Sequence, residues 1–424
     1  MNLYLFNDND RAATFGIGTY LRELSHALKG ADIHIHIVHL RSIRPEFEIV
    51  KTNEIENWYI PEVFNQSTFD GSIQKVEIYY RNVIYLLRLN IYDTTNLVFH
   101  FNYNLCYVLA KGLKEVFDCK TVSAIHFIKW QLELNGNLSK LHAIKMKHEN
   151  RMNSFEKLLF TTDEYEGLLF KEVDRVIALS QYIKDLLCKE YQLNPDKISV
   201  IPNGLTEIYP ETKRDKVFLR KKWQISTNEL LVLFVGRLHI AKGLTFLIEA
   251  FRKVLDKIPN CRLIIAGSGH YDLYIQEAKD ICTKVTFSGL LNKDELNELY
   301  QIVDIGVLPS LTEQCSYVAI EMMMHAVPLI ASACSGLIEM VEDDITGLHI
   351  PVTELPDKMN IDTSLLAEEM IYLLQHSEER KRIGVNACKH YKKFYSSSIM
   401  RENMLNFYTS LFETDVQSLE CGGM

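Results

Sequence analysis

The run Asp304-Ile-Gly-Val-Leu-Pro-Ser-Leu-Thr-Glu313-Gln-Cys-Ser316-Tyr-Val-Ala-Ile-Glu321-Met-Met-Met-His-Ala-Val-Pro328-Leu-Ile-Ala331 reads as strand, loop, helix, strand. An apolar strand, Ile305 to Leu308, stops at Pro309, and a helix opened by Ser316 must end before Pro328, where a second apolar strand begins. The helix is nearly all apolar, so it is expected to be buried. Glu321 sits inside that run, and an unpaired buried carboxylate costs several kcal/mol, so it needs a hydrogen-bond donor or a buried arginine as partner. Glu313 stands just ahead of the helix. The N–H groups of Ser316, Tyr317 and Val318, with the positive end of the helix dipole, would suit a phosphate.

Upstream, the strand Leu231 to Val235 leads into Gly236-Arg237-Leu-His-Ile-Ala-Lys242-Gly243. Two cations five residues apart at a strand's carboxyl end can neutralise a diphosphate, Arg237 as a planar fork and Lys242 as a point charge. No metal-ligand cluster accompanies them. The strand Arg262 to Ala266 ends in Gly267-Ser-Gly269 and Val285 to Phe287 in Ser288-Gly289-Leu290, glycines that let flat groups lie against backbone.

The N-terminal half repeats the alternation, with strands at Leu3 to Phe6, Ile33 to His39, Asn96 to His100, Thr121 to His126 and Arg175 to Leu179, and helical stretches such as Gln74 to Arg88 and Tyr103 to Val116. Val- and Ile-rich strands alternating with helices predict a parallel sheet covered on both faces. Ligands meet the carboxyl ends of such strands, where His100 and His126 lie. The segment Asn7 to Leu24 contains Gly16-Ile-Gly18 just before the chain turns helical, which would let backbone approach a diphosphate; without a third glycine it is no dinucleotide fingerprint. Ile201-Pro-Asn-Gly204 is the clearest boundary between halves.

Glu-x7-Glu in this setting, with Gly-Arg-x4-Lys-Gly before it and Ser335-Gly336-Leu-Ile-Glu339 after it, resembles the retaining glycosyltransferases of family four. The resemblance is almost continuous over residues 231–350 and patchy before them. It implies the GT-B fold: two Rossmann-like doubly wound parallel sheets facing a cleft, residues 1–205 with a returning C-terminal helix 397–415, and residues 206–396 as the donor domain. It implies that Glu313 contacts the donor sugar, that the amides of Ser316, Tyr317 and Val318 with Arg237 and Lys242 hold the diphosphate, and that Glu321 holds the ribose. Gly267 and Leu290 would line the base, Gly16 and Gly18 would face the donor, and His126 would touch the transferred sugar. One departure is Gln314-Cys315-Ser316-Tyr317, where the family commonly has an aromatic residue and a glycine; Tyr317 adds bulk beside the sugar and leaves the donor sugar open.

The expected activity is metal-independent, retaining transfer from a nucleotide-diphosphate sugar to a glycan, lipid, peptide or small-molecule acceptor, with no cofactor beyond the donor. A catalytically silent binder of the same fold, or a sugar phosphorylase, is the alternative; no pyridoxal phosphate lysine or phosphate acceptor site stands out. A formal charge of −9 with 47% hydrophobic and 24% charged residues describes a soluble globular protein and argues against a general nucleic-acid binder. Nine scattered cysteines without a Cys-x2-Cys pair fit reduced thiols. The opening residues enter a strand directly and no run of 18 apolar residues occurs, so a cytoplasmic location is expected. The basic residues within 140–157 read as a solvated face, and the resemblance implies that this part shapes the acceptor site and sometimes meets acidic membrane lipid. The tail Cys421-Gly-Gly-Met424 reads as a flexible end.

Overall fold

The computed structural model describes residues 1–8, 16–62, 73–207 and 215–420; the loop 9–15 ahead of Gly16 and the tail 421–424 lie outside the described residues. The chain forms two compact units. The first draws on Met1–Lys129, Lys147–Gly204 and Ser397–Met424, the second on Trp130–Met146 and Leu205–Ser396.

The first unit holds β1 (Asn2–Asp8), β2 (His34–Ser42), β3 (Glu48–Thr52), β4 (Ile55–Pro61), β5 (Leu97–Phe101), β6 (Lys120–Ile125), β7 (Arg175–Ala178) and β8 (Ile198–Val200), ordered β3-β4-β2-β1-β5-β6-β7-β8. All pairings are parallel except β3 with β4. The central strands β1 and β5 are apolar and buried, Phe6 stacking on Phe101. The antiparallel β3–β4 hairpin departs from the expected all-parallel sheet. Its turn places Asn53 and Glu54 at positive φ, and β3 is exposed along its length, so its sequence carries no apolar alternation to announce it.

The helix Ser397–Glu420 belongs to this first unit, where it packs on Gly16–Ala27. Tyr408 Oη lies 2.7 Å from His100 Nδ1 inside the core, and Arg401 donates to the carbonyls of Ala27 and Lys29, satisfying acceptors that a helix end leaves open.

The second unit holds β9 (Leu230–Val235), β10 (Cys261–Ala266), β11 (Val285–Gly289), β12 (Ile305–Leu308), β13 (Leu329–Ala333), β14 (Leu348–Glu354) and β15 (Met359–Ile361), ordered β11-β10-β9-β12-β13-β14-β15. Only the edge pair β14–β15 is antiparallel. Residues 130–146, N-terminal in sequence, cluster here because Asn137 Nδ2 donates to the Leu355 carbonyl at 2.7 Å and Ser139 N to Glu354 at 2.6 Å. Leu205 N donates to the Tyr395 carbonyl and Tyr391 Oη to the Leu205 carbonyl, so the stretches at the two ends of Leu205–Ser396 are fastened together.

At the carboxyl end of the first sheet, the loop after β6 is held by side chains. Asn104 Nδ2 donates to the Phe127 carbonyl at 2.5 Å and to Glu166 Oε1 at 2.9 Å, while Lys129 N donates to Glu166 at 3.1 Å. Burial pushes the Glu166 carboxyl up to about 8, against the hydrogen bonds that favour its charge. The folded chain therefore holds this proton more tightly than the unfolded chain, so the stability it contributes is complete below about pH 4.5 and is lost as pH rises toward 8. Thermal melts at several pH values should show wild type losing stability relative to Glu166→Gln across that window; parallel curves would mean that Glu166 is already ionised at its lower end.

Candidate active site

From β9 the chain steps outward to β10 and β11, and from β12 it steps the other way to β13 and β14. The strand order thus reverses between β9 and β12, and the loops leaving their carboxyl ends form the crevice where open α/β sheets bind ligands. Lys242, from the loop after β9, and Glu313, from the loop after β12, form an ion pair there, each about four-fifths buried. The same loops are sewn by Leu311 N to the Ala241 carbonyl at 2.8 Å. Gly243 makes the approach possible: its φ is +66°, and a Cβ would lie 1.8 Å from the Pro309 carbonyl oxygen.

A second close approach joins the loops after β9 and β10. Gly267 has φ +146°, and a Cβ on it would stand 1.8 Å from the Gly236 oxygen. Leu238 N donates to the Ser268 carbonyl, and Gly267 N to that of Gly289. Arg237 and Leu290 are exposed on this same edge of the sheet. Gly336 N donates to the Glu313 carbonyl at 2.8 Å, so the loop after β13 supports the acid from behind.

The helix Tyr317–Met324 is capped by Ser316, whose Oγ accepts from Ala319 N at 3.3 Å. Contrary to the expectation of an all-round buried helix, Ala319, Ile320, Met322, Met323 and Met324 are buried while Tyr317, Val318 and Glu321 are half-exposed. At spacings of three and four residues these form one face, so the apolar sequence hides a stripe that meets solvent. Glu321 is accordingly not a fully buried carboxylate, and Tyr300 Oη donates to it at 2.7 Å. Tyr300 is in turn stacked on His325, with centroids 5.1 Å apart. The Ser316 N–H points at Met340 Sδ, a weak acceptor, at 3.2 Å.

In the first unit, His126 lies just past β6 with Nε2 3.0 Å from Asn102 Oδ1 and its ring edge-on to Tyr20. Burial lowers the pKa values of His126 and His100 to about 3, so both are neutral at physiological pH. His100 is fully buried against Tyr408 and is a packing residue. Gly16 and Gly18 sit within the first turn of the helix Gly16–Ala27, so the described glycines belong to a helix start rather than to a free loop.

The second unit therefore brings Arg237, Lys242, Gly267, Leu290, Glu313, Ser316, Tyr317, Val318 and Glu321 to one edge of one sheet, and the first unit carries Gly16, Gly18 and His126. Two participants escaped the sequence reading. Tyr300 was invisible because nothing about an isolated helical tyrosine names its partner. The buried amide Gln131 meets Gln314 at 2.6 Å across 183 residues of chain. Among the described residues no group of three or more His, Cys, Asp or Glu side chains is gathered as a metal site.

The profile described as "Glycosyltransferase Family 4" matches residues 15–206, and that of "Glycosyl transferases group 1" matches residues 215–390. The chain belongs to the family-four glycosyltransferases. An uncharacterized glycosyltransferase of Methanocaldococcus jannaschii is 33% identical over 244 residues, 53% of this chain and 61% of the relative, so less than two thirds of that relative is spanned. Sucrose-phosphate synthase from Thermosynechococcus elongatus superposes with a TM-score of 0.75 at 20% identity, covering 97% of this chain and 99% of the other. HepE of Anabaena, solved in complex with UDP, superposes with a TM-score of 0.70 at 15% identity over 97% and 100% of the two chains. The fold of this family-four chain is GT-B, with its mostly parallel sheets and returning C-terminal helix.

The packing at Gly243 is testable. Gly243→Ala should destabilise the second unit by about 1–3 kcal/mol, because an alanine there meets a backbone carbonyl while held at positive φ. Denaturant unfolding measures this, and an unchanged midpoint would show that the two loops can separate at no cost.

Proposed function

We propose that the chain transfers a sugar from a nucleotide-diphosphate donor to an acceptor hydroxyl with retention at the anomeric carbon. The observation that carries the reading is the meeting of Lys242 with Glu313 at the strand-order reversal, beside the helix start of Tyr317–Met324. Arg237 and Lys242, with the opening N–H groups of that helix, would hold the diphosphate, and their fixed positive charge would favour its departure. Glu321, on the half-exposed helix face and steadied by Tyr300, would accept hydrogen bonds from the ribose hydroxyls. Glu313 would hold a sugar hydroxyl. The ion pair links these roles, since a diphosphate that draws Lys242 to itself frees the Glu313 carboxylate for the sugar.

In the transfer step the bond from the anomeric carbon to the diphosphate oxygen breaks, and the acceptor oxygen attacks from the same face. The acceptor's proton passes to the departing diphosphate oxygen, so no protein carboxylate need act as a covalent nucleophile. His126, uncharged, would serve the transferred sugar as a hydrogen-bonding group. Gly267 and Leu290 would border the base, and Gly16 with Gly18 would face the donor. The complex of HepE with UDP supports a uridine nucleotide as the first donor to try.

A peripheral contact of residues 140–157 with acidic lipid fits the exposed Phe155 and Leu158 on the first turns of Ser154–Glu172, close in sequence to exposed Arg151 and Lys157. Among the described residues no helix is long and apolar enough to cross a membrane.

A panel of nucleotide sugars, read by thermal shift and then by transfer to mixed acceptors, tests the activity. Binding of donors without hydrolysis or transfer to any acceptor would favour a silent binder. With a donor found, Glu313→Gln should leave affinity for the nucleoside diphosphate nearly intact while lowering turnover, and Glu321→Gln should weaken that affinity. Lys242→Ala should lower turnover by roughly 10²- to 10³-fold, as for other preorganised charge stabilisers. If Glu313→Gln abolishes diphosphate binding and Glu321→Gln does not, the assigned order of the two acids is reversed.

A further inference from the structure

The first unit contains a cavity of about 780 Å³ that shares only Gly18 with the residues given a role in the chemistry proposed above. It lies between the helix Gly16–Ala27 and its continuation, the strand β2, and the turn of the β3–β4 hairpin. Its origin is topological. The hairpin extends the sheet beyond β2, and the helix, which packs on Ser397–Glu420, leaves part of that extended face bare.

Sequence spacing makes the walls consistent. Gly18, Leu21, Arg22 and Ser25 recur at three- and four-residue intervals on one helix face, and Ile35 and Ile37 alternate onto one face of β2. The floor is thus aliphatic. Around it Arg22, Lys29 and Lys51, all exposed, outnumber a single acid, Glu54. Two polar side chains lining the cavity point to a ligand more directly. Asn7 is 2% exposed and Ser25 is 7% exposed, and neither Asn7 Oδ1 nor Ser25 Oγ has a hydrogen-bond partner. Buried polar atoms in native proteins are nearly always satisfied, so two unpartnered oxygens against one cavity are acceptors open to a ligand's donor.

We propose that this cavity binds a single-chain amphiphile with an acidic head group. The aliphatic floor would take the chain, the three cations the head, and a hydroxyl on the ligand would donate to Asn7 Oδ1 or Ser25 Oγ. The volume falls within the roughly 300–1,000 Å³ usual for small-molecule sites. The assignment stands on the cavity alone and holds whether or not the glycosyl-transfer reading is right.

The test uses dodecyl phosphate below its micelle-forming concentration, titrated calorimetrically into the full chain, with dodecyl maltoside and inorganic phosphate as chain-only and charge-only controls. Dodecyl phosphate should bind with one-to-one stoichiometry, and each control should bind at least about tenfold more weakly, a difference of about 1.4 kcal/mol. The double variant Arg22→Glu with Lys29→Glu should lose at least about tenfold in affinity while keeping its melting temperature and its nucleotide binding. Filling the cavity by Ile37→Phe should weaken dodecyl phosphate and leave the folded spectrum intact. Absence of binding, many-to-one binding, equal binding of the maltoside or the phosphate, or indifference to charge reversal in a folded variant would each overturn the proposal.

Discussion

Lys242 and Glu313 are 71 residues apart in sequence, and their ion pair exists only because β9 and β12 lie side by side in the second sheet. Both charges are largely withdrawn from water, where an ion pair gains or loses according to how well its geometry is fixed. That geometry is fixed by backbone: the Gly243 to Pro309 approach and the Leu311 to Ala241 hydrogen bond bring the two loops to contact distance before any side chain is considered. The helix that follows Glu313 inherits this placement. Its N-terminus, its half-exposed face and Glu321 are all referred to a loop that glycine allows to come so close.

The first unit reaches its site-bearing edge by other means. Here the loop after β6 is held by side chains, Asn102 on His126 and Asn104 with Glu166 on the backbone of Phe127 and Lys129. Around the loop after β6, a buried carboxylate with a raised pKa and two neutral histidines supply hydrogen bonds, while Arg41 pairs with Asp8 at the ends of β2 and β1. The second unit, by contrast, concentrates Arg237 and Lys242 at its edge.

Much of this was legible in the residues. Strand, helix and turn periods located most of the parallel strands, Pro309 ended the strand before the site loop, and Ser316 and Pro328 bounded the site helix because proline and N-cap chemistry act locally. The spacing of Arg237 and Lys242 on a strand-end loop already proposed an anion site. The β3–β4 hairpin was not legible, since an exposed edge strand needs no apolar alternation. Nor was the half-exposed face of Tyr317–Met324: an apolar residue at a helix surface looks the same in sequence as one in the core.

The sequence by itself therefore determined the class of fold, the kinds of side chain available at each strand end and the identity of the two acids, because these depend on short-range propensity and pattern. Tertiary structure alone decided which of them meet. The phenol of Tyr300 on Glu321, Gln131 against Gln314, the pairing of Lys242 with Glu313 and the cavity beside Asn7 and Ser25 all depend on strand order and on contacts across tens to hundreds of residues. No local pattern encodes such distances; they follow only when the whole sheet has closed its register.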